Sequence, residues 1–302
     1  MPEKFKPKVV VILGQTATGK SDLAVKIARK FNGEVVSADS RQVYTGLDIG
    51  TGKITKAEMK NTPHHLLDVV NPKKKFTVAE YKKLADKKIH EIIARGKLPI
   101  LCGGTGFYID AVVKGVVFPE VPPNIKLRKT LEKKEALELF KILKKLDPAR
   151  AKDIFKKNEQ HNKVRIIRAI EIAKALGKVP KITEATPPYE FIKIGLQLPE
   201  KKLKEKIKNR LGKRIKSGML LEAKKLHTQG LSWKRMEELG LEYKFMALHL
   251  QNKLSKQEML EKLNSEIYKY AKRQMTWFKR DSEIKWFPPT EYKKILVTLK
   301  MI

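Results

Sequence analysis

The sequence predicts an α/β fold: a parallel sheet covered by helices, with a separate helical domain inserted into it. Three observations carry that reading. An apolar run, Val9-Val10-Val11-Ile12-Leu13, enters the turn Gly14-Gln15-Thr16-Ala17-Thr18-Gly19-Lys20-Ser21 and leaves it in a helical pattern with Leu23, Ala24, Ile27, Ala28 and Phe31 on one face. Further apolar runs alternate with helical stretches, the pattern of a doubly wound parallel sheet. Proline clusters at Pro119–Pro123 and Pro187-Pro188 bracket a lysine-rich helical stretch.

The turn has the spacing G-x4-G-K-[ST] between a strand and a helix, which makes the core P-loop NTPase-like. Glycines let the backbone curl so that successive N–H groups face one anion, and the helix N-terminus adds partial positive charge. Lys20 supplies a mobile point charge for terminal phosphates, and Ser21 a hydroxyl for a phosphate-bridging Mg2+ ion. The motif specifies a diphosphate or triphosphate ligand without saying which, or what happens to it.

In chain order, Glu34-Val35-Val36-Ser37-Ala38 reads as a short strand with Asp39 on the loop beyond it. Asp48-Ile49-Gly50-Thr51-Gly52-Lys53 is too polar for core and too glycine-rich for helix, and is expected as a loop over the site. His64 and His65, in a turn and short strand, face opposite ways, so hydrogen-bonding roles are preferred to a shared metal. Thr77-x-x-Glu80 is a capping box opening a helix to about Ala94, with Val78, Tyr81, Ala85, Ile89 and Ile92 apolar and Gly96 as its stop. Leu98–Cys102 is the next strand, ending in Gly103-Gly104-Thr105-Gly106. Ligands of such sheets bind at the carboxyl ends of strands, so the phosphate loop, the Asp39 loop and the Gly103–Gly106 loop should converge.

Residues 121–188 are expected to form the helical insertion, with breaks at Asp147-Pro148 and Asn158–Asn162 and a cap at Gly177; residues 1–120 and 189–302 form the core. Phe191–Leu196 reads as a strand rejoining the sheet. Pro199 opens a basic helix with Leu203, Ile207, Leu211 and Ile215 on one face and Arg210 and Arg214 beside it. Trp233–Leu250 is helical with an interruption at Gly240. Ser255-x-x-Glu258 caps a long helix striped by Leu260, Leu263, Ile267 and Tyr270, and Trp286-Phe287 ends a last strand.

The chain has 302 residues, 41% of them hydrophobic, enough for an ordinary core. Lys and Arg number 66 against 33 Asp and Glu, a formal net charge of +33. That excess implies a polyanionic partner, most simply nucleic acid; a general basic bias of the source organism is the alternative. The one cysteine, Cys102, reads as a small core residue and excludes a disulfide or cysteine-cluster zinc site. Residues 1–8 are polar and no span reaches membrane length, so no signal peptide, no membrane and a cytoplasmic location are expected.

Taken in order, these motifs are specific enough to compare with a family. Gly14–Ser21, Ser37-Ala38-Asp39-Ser40, Asp48-Ile49-Gly50-Thr51, Pro63-His64-His65-Leu66-Leu67-Asp68, Gly103-Gly104-Thr105-Gly106-Phe107-Tyr108, Arg165–Glu171 and Ala271-Lys272-Arg273-Gln274-Met275-Thr276-Trp277 together resemble the tRNA dimethylallyltransferases, also called tRNA isopentenyltransferases, from about residue 9 to 287. The resemblance implies transfer of a dimethylallyl group from dimethylallyl diphosphate to the exocyclic amine of the adenosine 3′ to the anticodon, in tRNAs reading codons that begin with U. It implies Asp39 as general base and Gly14, Gln15, Thr16, Ala17, Thr18, Gly19, Lys20 and Ser21 as the diphosphate site, with Mg2+ on Ser21. It implies Arg210 on the leaving diphosphate and Thr105 in the catalytic set. It also implies tRNA contacts at Asp39, Ser40, Arg41, Gln42, Thr105 and Arg128 and at Val164, Arg165, Ile166, Ile167 and Arg168. A monomer is expected. Gly240-Leu241-Glu242-Tyr243-Lys244 departs from the Gly-Tyr-Lys/Arg of many relatives.

Two other classes stay open on the residues alone. A P-loop nucleotide kinase would explain the loop and Asp39 but not the charge. A non-catalytic RNA-binding ATPase would explain the charge but leave Asp39 and Thr105 without a task. A closer variant, prenylation of free adenine nucleotides, shares the chemistry without the polyanion.

Overall fold

Val9 to Leu13 are buried almost without remainder because their strand lies in the middle of a sheet covered on both faces. The computed structural model describes residues 6–300; residues 1–5 and 301–302, assigned above to the core, lie outside the described residues. The strands are β1 (Lys8–Gly14), β2 (Gly33–Ala38), β3 (His64–His65), β4 (Leu98–Gly103), β5 (Val116–Val117), β6 (Thr183–Glu184), β7 (Glu190–Leu196) and β8 (Lys285–Phe287). Six of them form one sheet in the order β3-β2-β4-β1-β7-β8, every neighbouring pair parallel. Alternation along β1 divides the core. Val9, Val11 and Leu13 join one apolar cluster and Val10 and Ile12 the other. The helix Lys20–Lys30 covers the second cluster with Leu23, Ala24, Ile27 and Ala28. Beside it packs Tyr292–Leu299, a helix absent from the sequence reading, through Ile295 and Leu299.

The helix Val78–Ala94 begins with the expected capping box, Thr77 to Glu80, and buries Tyr81, Ala85, Ile89 and Ile92. The helix Lys256–Phe278 likewise starts at a Ser255–Glu258 capping box. Its buried stripe, however, is Met259, Leu263, Ile267, Ala271, Gln274 and Phe278. Leu260 and Tyr270, expected in the stripe, sit at its edge and are half-buried. On Glu200–Lys216 the fourth buried position is Arg214 rather than Ile215. Arg214 donates to the carbonyls of Gly50 (3.2 Å) and Thr51 (3.1 Å) and to Glu242 (3.1 Å). Glu222 accepts the N–H groups of Asp48, Ile49 and Gly50 and the Tyr243 hydroxyl. The glycine-rich Asp48–Lys53 turn is therefore clamped from both sides. A Cβ at Gly52 would overlap the Arg214 guanidinium, which explains glycine there. The same contacts make Glu242 and Tyr243 structural.

Residues Val116–Ala185 form a compact unit apart from the sheet unit. Its helices are Ile125–Glu132, Ala136–Leu146, Pro148–Lys156 and Lys163–Leu176, broken at Asp147-Pro148 and Asn158–Asn162 and capped by Gly177. Asp147 accepts the Arg150 N–H as N-cap and the Val179 N–H (2.8 Å each), so the break also ties down the chain beyond the last helix. Leu131, Leu139, Leu143, Ile154, Ile166 and Ile170 form its core. Its ends are joined by antiparallel pairing of β5 with β6, a ribbon that no local signal announced.

Candidate active site

The phosphate loop is built around backbone that side chains rarely adopt. Gly14 has φ 132° and Gly19 φ 89°; a Cβ at Gly14 would overlap the Leu196 carbonyl of the neighbouring strand. Ala17 also takes a positive φ of 65°. Gly19, the N-cap of the helix Lys20–Lys30, brings no side-chain acceptor, so the first-turn N–H groups have no capping partner. This is the helix end at which an anion binds. Thr18 turns inward and donates to the Gln15 carbonyl (2.8 Å), and the Lys20 ammonium donates to the same oxygen (2.7 Å). Burial pushes Lys20 down to about 8, with Arg210 pushing the same way and Cys102 and Asp39 opposing. Cys102, beneath it on β4, is buried, and burial raises its thiol to about 12, as suits a packing residue.

Asp39 follows β2 directly. Its Oδ1 accepts the N–H groups of Arg41 (2.8 Å) and Gln42 (3.3 Å), while no described residue hydrogen-bonds to Oδ2. The loop after β4 lies alongside: the Thr105 N–H donates to Ala38 (3.1 Å), and Thr105 Oγ1 accepts the Ser40 N–H (3.0 Å). Gly103 permits this approach, since a Cβ there would overlap the Ala38 carbonyl. From the helix Glu200–Lys216, Arg210 reaches the phosphate loop and donates to Thr16 Oγ1. Burial, then Arg214, push its guanidinium below its usual value, to about 10, so it remains charged at neutral pH. Asp39, Thr105, Arg210 and Gly14–Ser21 therefore meet at the carboxyl ends of β1, β2 and β4.

Two residues of this site were misread or overlooked in the sequence. Tyr270, expected as core stripe, places its hydroxyl near Asp39 and Thr105; burial first and Asp39 second raise it to about 12. Gln274 lies beneath the phosphate loop and is 6% exposed. A glutamine recurring in an apolar stripe was the available signal. The histidines take separate structural partners, His64 with the Thr62 carbonyl and His65 with Glu34.

In the Val116–Ala185 unit the expected RNA-contact residues divide. Ile166 and Ile167 are buried in its core and present no surface, because their helix turns that face inward. Val164 is 80% exposed. Arg165 pairs with Glu159. Arg128 grips the buried Glu171 with two bonds (2.9 and 2.7 Å), and Arg168 adds a third bond and reaches the Val121 carbonyl (2.9 Å). Burial alone would raise the Glu171 carboxyl; Arg128, the Asn124 N–H and Arg168 outweigh it and bring the group to about 2. Its folded value lies below the unfolded one, so its stabilisation is complete above about 4.5 and is lost as pH falls towards 2. Glu171→Ala is expected to destabilise the protein by about 3 kcal/mol at pH 7, because two arginines lose their counter-charge. Urea unfolding at pH 7 and pH 3 should show that difference shrinking at the lower pH.

A phosphate loop at the edge of an all-parallel sheet, with a carboxylate and an arginine brought beside it, defines a P-loop enzyme acting on a phosphorylated ligand. Residues 42–281 match the IPP transferase family. The tRNA dimethylallyltransferase 2 of Trichlorobacter lovleyi is 42% identical over 278 residues, covering 90% of this chain and 88% of that protein. The chain belongs to the tRNA dimethylallyltransferase family. Among solved structures, the full-length tRNA isopentenylpyrophosphate transferase of Bacillus halodurans is 35% identical and superposes with a TM-score of 0.72 over 98% of both chains. A eukaryotic dimethylallyltransferase described as acting on tRNA is 25% identical, with a TM-score of 0.79 over 98% of this chain and 77% of its own. Among the described residues no helix is long and apolar enough to cross a membrane.

Proposed function

We propose that this protein transfers the dimethylallyl group of dimethylallyl diphosphate to the exocyclic amine of the adenosine 3′ to the anticodon, in tRNAs reading UNN codons, giving N6-dimethylallyladenosine. The observation that carries the reading is the meeting of a free carboxylate oxygen, Asp39 Oδ2, with the anion site of Lys20, Arg210 and the phosphate loop. The amine nitrogen forms a bond to the allylic carbon, the carbon–oxygen bond to the diphosphate breaks, and the amine proton passes to Asp39. An adenine amine is a weak nucleophile because its lone pair is delocalised, and a carboxylate taking its proton strengthens it. Loop N–H groups, Lys20 and Arg210 stabilise the charge that grows on the departing diphosphate. Reaching the amine requires the base to leave its stack.

The residues fit magnesium held mainly through the ligand: Ser21 is exposed at the helix start, and no cluster of three or more His, Cys, Asp or Glu suited to a metal occurs among the described residues. Bound there, Mg2+ would screen the diphosphate charge. In the sheet unit Ser40, Arg41, Gln42 and Thr105 are the proposed tRNA contacts. In the Val116–Ala185 unit they are Arg128, Val164, Arg165 and Arg168, two of them oriented by Glu171. A monomer working in the cytoplasm completes the reading.

Incubating unmodified bulk tRNA with the protein, Mg2+ and dimethylallyl diphosphate, then analysing nucleosides by mass spectrometry, should yield N6-dimethylallyladenosine. No product on tRNA, with prenylated free adenine nucleotide or phosphoryl transfer from ATP instead, would reject the proposal. The charge of +33 also predicts affinity for tRNA that falls steeply and linearly in log–log form with salt, as condensed counterions are displaced. A flat salt dependence for both full tRNA and its anticodon stem-loop would remove the polyanion argument.

A further inference from the structure

We propose that Gln274 is a positioning residue that holds the phosphate loop and the Gly103–Gly106 loop in the alignment transfer requires; this role rests on the reaction proposed above. β1 and β4 are sheet neighbours, but their ladder ends with the strands, and each loop then continues alone. Gln274 bridges the two loops. Its Oε1 accepts the Thr16 N–H (2.8 Å), and its Nε2 donates to the Gly104 carbonyl (2.8 Å). Each bond leads one step further into the site. Thr16 carries the hydroxyl that receives Arg210, so the first bond fixes the diphosphate side. Gly104 precedes Thr105, which holds the Ser40 N–H beside Asp39, so the second fixes the acceptor side.

The same helix makes flanking ties. The Ala271 carbonyl accepts from Gln15 Nε2 (3.2 Å), and Trp277 packs on Gly106 while donating to Asp110 (3.2 Å). These give Ala271, Gln274 and Trp277 of the Ala271–Trp277 motif a structural task. A side chain needed only for packing at this stripe position would be apolar, because burying an amide is costly unless both its ends are bonded. Here both are bonded, one to each loop. Gln274 holds the loops that carry the substrate sites rather than a substrate itself, so its effect should appear in alignment.

Two variants test this by separate routes. Gln274→Met keeps the length and removes both bonds. Gly104→Ala leaves Gln274 intact, but the added Cβ would overlap the Gln274 amide nitrogen and meets nothing else closer than 3.5 Å, so it displaces the amide. For each folded variant, single-turnover transfer at saturating substrates should fall about a hundredfold, while equilibrium binding of inorganic diphosphate and of tRNA stays within about threefold. A purely structural role would lower the melting temperature and leave the single-turnover rate well below it unchanged. Near-wild-type transfer by either folded variant overturns the positioning role, as does a rate loss explained by lost affinity. If Gln274→Met does not fold, Gly104→Ala decides. Wild-type protein that makes no dimethylallyladenosine overturns the underlying reaction and this role with it, whereas active wild type with equally active variants overturns this role alone.

Discussion

Asp39→Asn is expected to lower single-turnover prenylation of tRNA by roughly a hundredfold to ten-thousandfold, the usual range for removing a general base. The local geometry makes this substitution selective. Asp39 Oδ1 accepts two backbone N–H groups, from Arg41 and Gln42, and an asparagine amide oxygen can accept both. The turn that carries Ser40, Arg41 and Gln42 should therefore survive. What changes is the other oxygen, which becomes an NH2 group that cannot take a proton. Binding of dimethylallyl diphosphate should be nearly unaffected, because the phosphate contacts come from the loop after β1. Affinity for tRNA should drop modestly through the lost contact to adenine. Rapid-quench single turnovers, with equilibrium binding of each substrate measured separately, would check both parts. Near-normal transfer by Asp39→Asn would return Asp39 to a role in shaping the turn.

Lys20→Ala should weaken binding of dimethylallyl diphosphate roughly ten- to hundredfold, the scale of one charge-assisted hydrogen bond. It should do so without harming the fold. Burial holds the Lys20 ammonium down to about 8, below its ordinary value of 10.5, so keeping it charged at neutral pH costs stability. That cost is present below pH 8 and is relieved as pH rises from 8 towards 10.5, because the unfolded chain then holds the proton more tightly. The alanine variant should accordingly be at least as stable as the wild type at pH 7. A bound diphosphate stabilises the charged form, so wild-type affinity should fall as pH rises through about 8, where the free protein loses the proton. Lys20→Ala should lose that step while retaining whatever titration belongs to the ligand, which makes the difference between the two profiles the measurement. Unchanged turnover by a folded Lys20→Ala protein at low diphosphate concentration would reject the loop assignment.

The sequence by itself determined the features whose causes are local. Five apolar residues in a row before a glycine-rich turn required a buried central strand, and β1 is that strand. Thr77-x-x-Glu80 and Ser255-x-x-Glu258 marked helix starts because a capping box satisfies N–H groups within four residues of chain. Asp147-Pro148 stopped one helix and started the next. The nearness of Asp39, Thr105 and the phosphate loop was also legible, since a parallel sheet sends every strand's carboxyl end to the same edge.

Tertiary structure decided the features that depend on where a side chain points and what arrives from far along the chain. Tyr270 was expected in the core stripe, and only packing of its helix turned it to the stripe's edge with its hydroxyl near Asp39. Ile166 and Ile167, adjacent to two arginines, could be told from surface residues only once the helix had a core to face. Nothing local marks Arg214 and Glu222 as more than charges on their helices, yet they hold a glycine turn more than 160 residues away in the chain. Gln274 joins two loops 258 and 170 residues distant from it. Periodicity and capping report on interactions within a few residues. A bond of this range leaves in the sequence only a polar residue at an apolar position, and the fold alone supplies its partners.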